Sequence, residues 1–242
     1  MSTKFGIIIP ARFGSSRFPG KPLVDLKGKS VIQRTVEAAQ SSNPTIGIAV
    51  ATDDERIAQH VQSFATVVMT HSNHISGTDR CADALAQLGW DCEVVVNLQG
   101  DEPFIQADQI NALVACFDNP SVDIATLKKE LHSADEIANP NFVKVVCGIE
   151  NQALYFSRSA IPYLRESGHA KHYKHIGMYA FRPQVLSKIT QLAPSPLERS
   201  ESLEQLRWLE NGYRIQVMET LWASPAIDTP EDLQRVLESG IV

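Results

Sequence analysis

The apolar positions of the chain fall into short, dense runs rather than a strict alternation. Phe5–Ile9, Ile46–Ala51, Thr66–Met69, Val94–Leu98 and Ile124–Leu127 are continuous and rich in β-branched residues. A strand with one wet face alternates, so continuous runs of this kind predict strands covered on both faces, as in a parallel sheet. Between the runs the period lengthens. Val31, Ile32, Thr35, Val36 and Ala39 recur close to helical spacing, and the stretches Asp54–Phe64 and Asp79–Leu88 carry a similar pattern. Strand and helix in alternation predict an α/β fold built on a doubly wound, mostly parallel sheet.

After about residue 140 the rhythm changes. Phe142–Val146, Ala153–Phe156 and Gly177–Phe181 predict strands, whereas Pro162–Lys174 is a polar connection containing Gly and His. Its lack of period predicts a mobile loop. Leu197–Glu210 predicts one helix with Leu203, Leu206 and Leu209 on one side, and Tyr213–Thr220 predicts a last strand. Pro230–Glu238 predicts a closing helix, with Thr229 as its N-cap and Pro230 at its first position.

Charge narrows the function. The 242 residues carry 22 Lys and Arg against 28 Asp and Glu, a net charge of −6. That balance argues against nucleic acid as a partner, and any anion the protein binds must meet a local basic cluster. Cys81, Cys92, Cys116 and Cys147 stand far apart, without the close spacing of a zinc site or redox pair, so reduced and partly buried thiols are expected. The apolar run at the N-terminus is cut by Pro10, too early for a signal-peptide core or a membrane span. Cytoplasmic localisation, with no membrane partner, is the expectation.

The first run ends in Pro10-Ala11-Arg12-Phe13-Gly14-Ser15-Ser16-Arg17-Phe18-Pro19-Gly20-Lys21, which packs two Gly, two Ser, two Arg and one Lys behind a buried strand. Ligands of open α/β sheets bind at the carboxyl ends of strands, and backbone N–H groups there cradle phosphate oxygens. This is a polyphosphate site by position and composition. It is not a Walker A loop, since five residues separate Gly14 from Gly20 and Pro22 follows Lys21. Asp101 leaves the tip of another apolar run in Asn97-Leu98-Gln99-Gly100-Asp101-Glu102-Pro103, where a carboxylate suits Mg²⁺ together with phosphate oxygens and water. Asp228 is a second candidate ligand, or simply an acid flanking a helix start. Ser76-Gly77-Thr78-Asp79-Arg80 is a polar turn able to read a base or phosphate, or an ordinary capped helix start. Arg158, Arg165, His175 and Tyr179 gather in sequence around the polar loop, where Arg supplies bidentate recognition of a carboxylate or the group has only solvated or packing roles.

The strings IIIPARFGSSRFPGKPL, VATDDERIAQHV, HISGTDR, VVNLQGDEPFI, NPNFVKVV, ALYFSRSAIP, KHIGMYAFRP, PSPLE, SLEQLRWLENGYRIQV and IDTPEDL, in this order, closely resemble the 3-deoxy-manno-octulosonate cytidylyltransferase (CMP-KDO synthetase) family. The resemblance runs over essentially residues 4 to 237. It implies a nucleotide-diphospho-sugar transferase-like fold and the reaction of CTP with KDO to CMP-KDO and pyrophosphate, for lipopolysaccharide core synthesis. By the same resemblance Arg12, Ser15 and Lys21 hold the triphosphate, Ser76, Gly77, Thr78 and Arg80 seat the cytidine, and Gln99 contacts the sugar beside the nucleotide. Asp101 and Asp228 bind magnesium and, with Arg12 and Lys21, form the catalytic set. Arg158, Arg165, His175, Tyr179, Glu204 and Gln205 line the acid-sugar pocket. A homodimer is implied, partly through the segment after residue 130. The organisation that follows is one cytidylyltransferase domain over 1–242, with a nucleotide-binding part to about 130, a smaller sugar-binding and dimerisation part over 131–220, and a closing segment from 221. Departures from the family strings at Tyr163-Leu164 and Trp222–Ala226 fall near the sugar pocket, which leaves an 8-amino analogue of KDO or another acid sugar as rival substrates. A CTP-binding regulatory module is the non-enzymatic alternative.

Overall fold

β1 (Phe5–Ala11) is buried at every position and lies between β2 (Gly47–Thr52) and β4 (Val94–Asn97), with β3 (Thr66–Met69) beyond β2. All of these pairings are parallel, as continuous apolar runs require. The computed structural model describes residues 3–14, 18–166, 168–222, 225, 227 and 229–241. Two compact units divide the chain, one formed by residues 1–111 with 224–242 and the other by residues 112–223. The division falls inside α4 (Ala107–Ala115), and the closing segment belongs to the first unit.

In the first unit, helices follow strands and begin at side-chain caps. The Ser30 hydroxyl accepts from the Gln33 N–H at the start of α1 (Val31–Gln40), and the Asp54 carboxylate accepts from the Arg56 N–H ahead of α2 (Glu55–Val61). α3 (Gly77–Leu88) opens with a reciprocal capping box between Ser76 and Asp79 and closes at Gly89, whose φ is 59°. Ile32 of α1 lies with Ala11 beside Gly100, while Gly77 of α3 lies against the ring of Pro10. Successive strand residues point to opposite faces, so α1 and α3 cover opposite sides of β1. That is the doubly wound arrangement. The last helix, α9 (Pro230–Ser239), has the expected Thr229 cap and Pro at its start. It buries Val236 in a cluster with Leu26, Val31 and Ile227.

The second unit is mainly antiparallel. β5 (Ile124–Leu131) pairs antiparallel with β8 (His172–Phe181) and parallel with β9 (Ile215–Glu219). β6 (Lys144–Cys147) and β7 (Ala153–Ser157) form an antiparallel pair, and β6 touches β8 at Lys174. Four helices here had no sequence prediction or a different one. α5 (Ala134–Ala138) and α6 (Pro183–Ile189) are short. The single helix expected over 197–210 is two, α7 (Pro196–Glu201) and α8 (Glu204–Glu210), because Ser202 takes a left-handed conformation with φ 53° and ends the first. The loop expected to run to Lys174 stops earlier: His172, Tyr173 and Lys174 are strand residues paired with Leu131, Glu130 and Lys129. Polar side chains hid that strand from a reading based on hydrophobic period.

Candidate active site

The residues of the basic glycine loop leave β1 at Ala11. Arg12 is exposed and has no ion-pair partner among the described residues. The loop closes where the Gly20 N–H donates to the Phe13 carbonyl at 2.8 Å. Gly20 has φ 73°, and the Phe13 ring sits 3.1 Å from where a Cβ would be, so only glycine serves there without strain. Lys21 follows, 8% exposed, at the start of a short 3₁₀ turn. Its ammonium lies 2.5 Å from Asp101 Oδ2.

Asp101 comes from the turn after β4. A Cβ on Gly100 would meet the Pro10 carbonyl at 3.0 Å and Ile32 Cδ1 at 3.2 Å, so glycine lets this turn press against the end of β1 and bring Asp101 to Lys21. The Asp101 carbonyl accepts from the Ile227 N–H at 3.3 Å. The residue preceding Asp228 in sequence is thus tied to Asp101. Asp228 itself, like Ser15, lies outside the described residues. Among the described residues no group of three or more His, Cys, Asp or Glu is placed to hold a metal.

Ser76 and Gly77 open α3, and the Gln99 side-chain amide lies 3.3 to 3.4 Å from where a Cβ on Gly77 would stand. The structure therefore brings the Ser76–Arg80 turn to the Gln99 strand tip. Gly77, Thr78 and Arg80 are in the first helical turn, so the capped-helix reading describes the segment. Arg80 is 1% exposed; its Nη1 donates to Thr70 Oγ1 at 2.5 Å and its Nη2 lies 3.2 Å from Asp53 Oδ2. Sequence reasoning missed Asp53 and Thr70. Asp53 had a signal: it follows β2 as Asp101 follows β4.

In the second unit Arg158 is half-buried, and its Nε, Nη1 and Nη2 donate to the carbonyls of Glu201, Pro140 and Ser202 at 2.7, 3.1 and 3.4 Å. Arg165 is exposed. His175 and Tyr179 come together with ring centroids 5.4 Å apart, and both are buried. The His175 Nε2 pairs with Thr126 Oγ1 at 2.9 Å, and Phe156 meets its ring edge-on. Burial, then the charge of Lys174, push the His175 pKa down to about 3. Any contact it makes with an acid sugar is that of a neutral ring, not a cation. Tyr179 packs against Phe181 and Trp208, and its hydroxyl has no partner among the described residues. Burial, with the Glu204 charge added, holds its pKa well above the ordinary phenol value. Gln205 is buried beside Glu204, which pairs with Arg207 at 2.9 Å. The four thiols are free, and burial raises the pKa of each; Cys92 and Cys116 reach about 11.

A basic glycine loop behind the first strand of a parallel sheet, with a lysine paired to an acid from a neighbouring strand tip, defines a phosphate-binding α/β protein of the nucleotide-handling class. Comparison with known proteins narrows the class. Residues 6–215 match the family model described as Cytidylyltransferase. A Porphyromonas gingivalis protein named 3-deoxy-manno-octulosonate cytidylyltransferase is 53% identical, covering 98% of this chain and 96% of its own. A protein of the same name from Parabacteroides distasonis is 51% identical, covering 97% of each. A solved CMP:2-keto-3-deoxy-manno-octonic acid synthetase complexed with CTP superposes with a TM-score of 0.93 at 43% identity, covering 98% of both chains. The 4-diphosphocytidyl-2C-methyl-D-erythritol synthase of Anaerococcus prevotii shares the fold at a TM-score of 0.64 and 13% identity. The chain belongs to the cytidylyltransferase family, on its 3-deoxy-manno-octulosonate cytidylyltransferase branch.

Proposed function

We propose that the protein transfers CMP from CTP to 3-deoxy-manno-octulosonate, releasing pyrophosphate, as one step in making a lipopolysaccharide core. The observation that carries this reading is the Lys21–Asp101 pair at 2.5 Å, set in a phosphate loop on a chain 43% identical to a synthetase solved with CTP. Arg12 and Lys21 bind the triphosphate, joined by Ser15, and the start of α3 with Gln99 receives the cytidine. Arg158, Arg165, His175, Tyr179, Glu204 and Gln205 recognise the sugar acid. Holding both substrates in line supplies on the order of 7 to 11 kcal/mol of barrier lowering.

Asp101 suits Mg²⁺, being a hard oxygen donor at a strand tip with its side chain 27% exposed. The ammonium it holds at 2.5 Å supports a position suited to a cation. The bond from Ile227 to the Asp101 carbonyl supports Asp228 as the second ligand. Magnesium held there would polarise the α-phosphate and lower the pKa of the attacking sugar hydroxyl. Lys21 and Arg12 then offset the charge that gathers on the departing pyrophosphate. A homodimer formed partly through the segment after residue 130 fits the exposure of Ile149, Leu154 and Tyr163; sedimentation velocity tests it. Among the described residues no helix is long and apolar enough to cross a membrane.

The experiment is a pyrophosphate-release assay with CTP and Mg²⁺, offered KDO, its 8-amino analogue and a sialic acid in turn. Turnover with KDO well above the other two is expected, and abolished by chelation of the metal. Preference for the analogue would move the substrate but keep the chemistry. CTP binding without pyrophosphate release on any sugar would make the protein a nucleotide-binding module.

A further inference from the structure

Lys144, the first residue of β6, has no exposed surface. Its ammonium donates to the carbonyl of Asn139 at 2.9 Å and to that of Arg158 at 2.5 Å. Close by, the Glu201 carboxylate accepts from the Ser157 hydroxyl at 2.6 Å and from the Arg158 N–H at 2.9 Å. The Glu201 carbonyl in turn accepts from Arg158 Nε at 2.7 Å. Three segments meet at this node: the chain just after α5, the end of β7 and the end of α7.

Burying an ammonium is unfavourable, and an apolar side chain of similar volume often stabilises a fold as well or better. Strand pairing alone therefore gives no reason for Lys144. What the node achieves is specific to one residue. The N–H of Arg158 is held by Glu201, its C=O by Lys144, and its guanidinium by carbonyls on the two flanking segments. A guanidinium has five N–H donors, and three are committed to carbonyls. Among the described residues the two left over stand one on each terminal nitrogen, donors that remain for a carboxylate.

We propose that Lys144 and Glu201 are positioning residues that fix the backbone and guanidinium of Arg158 and so set the geometry of the sugar-carboxylate subsite. This rests on the reading of Arg158 as a contact of the acid sugar. Neither residue touches substrate; both act through Arg158.

The test is steady-state kinetics on Lys144→Met, Glu201→Gln, Arg158→Ala and the Lys144→Met/Arg158→Ala double variant, with CTP and KDO varied separately. Lys144→Met and Glu201→Gln should each raise the KM for KDO about tenfold, the scale on which outer partners of a binding side chain act. The KM for CTP should stay within about twofold in both. Adding Lys144→Met to Arg158→Ala should change the KDO KM little, because coupled residues are non-additive. If Arg158→Ala raises the KDO KM while the single Lys144 and Glu201 variants do not, the positioning role is overturned and the sugar-site reading survives. Equal rises in both KM values, or full additivity in the double variant, also overturn it. An unchanged KDO KM in Arg158→Ala removes Arg158 from the pocket and the proposal with it. Should Lys144→Met fail to fold, Glu201→Gln, which keeps the side-chain volume, decides the question.

Discussion

Lys21 Nζ lies 2.5 Å from Asp101 Oδ2, a contact between residues eighty positions apart in the chain. The lysine side chain is 10% exposed and the aspartate 27%, so water screens the pair only in part. Asp101→Asn keeps a hydrogen-bond acceptor for the ammonium but removes the charge proposed to hold a metal. Turnover should fall by roughly 10²- to 10³-fold, with a far-ultraviolet circular dichroism spectrum like that of the parent. A rate within a few-fold of the parent would end the role assigned to Asp101.

Gly100 decides whether that acid is in place at all. A Cβ there would sit 3.0 Å from a backbone carbonyl, that of Pro10, and 3.2 Å from Ile32 Cδ1. A carbonyl in a buried strand cannot swing aside as a flexible side chain can. Gly100→Ala should therefore cost about 1 to 3 kcal/mol and also depress turnover by displacing Asp101. Urea unfolding together with the pyrophosphate assay checks both; a stable, fully active variant would show that the turn relaxes freely.

His175 makes stability depend on pH. Its folded pKa is lowered to about 3 from 6.5, so between these values the unfolded chain takes up a proton that the folded chain refuses. The contribution is complete above about pH 6.5 and shrinks by roughly 1.4 kcal/mol for each pH unit below it. Urea midpoints measured at pH 7.5 and 5.5 should differ more for the parent than for His175→Asn. An identical difference in the two proteins would mean the buried ring does not titrate as described.

Thr229 holds the last helix. Its hydroxyl accepts from the Asp232 N–H, and the Asp232 carboxylate accepts from the Thr229 N–H in return. Thr229→Ala should cost about 1 kcal/mol. Because α9 buries Val236 with Ile227, and Ile227 is bonded to the Asp101 carbonyl, faster amide hydrogen exchange is expected in α9 and at Ile227. Unchanged protection there would show that the helix is held by packing alone.

Much of the fold was legible because its signals are local. The parallel strands β1, β2 and β4 are runs of largely buried apolar residues, and the start of α9 was marked by Thr229-Pro230. Where the signal was not hydrophobic, it failed. His172–Lys174 is strand with polar side chains, and nothing in the apolar period from Leu197 to Glu210 disclosed the left-handed turn at Ser202. The same holds at the sites. Lys21 and Asp101 stood out as chemistry at strand tips, whereas Thr70, Lys144 and Glu201 look ordinary until their partners are seen.

The sequence by itself determined the family, the parallel strands of the first unit and the residue types proposed to handle phosphate, because strand burial, helix caps and loop composition are written within a few neighbouring positions. Only the tertiary structure decided that Lys21 meets Asp101, that His175 is a buried neutral ring, and that Arg158 is gripped by Lys144 and Glu201. Those outcomes depend on strand order and on which groups lose their water, and both are properties of the folded chain as a whole.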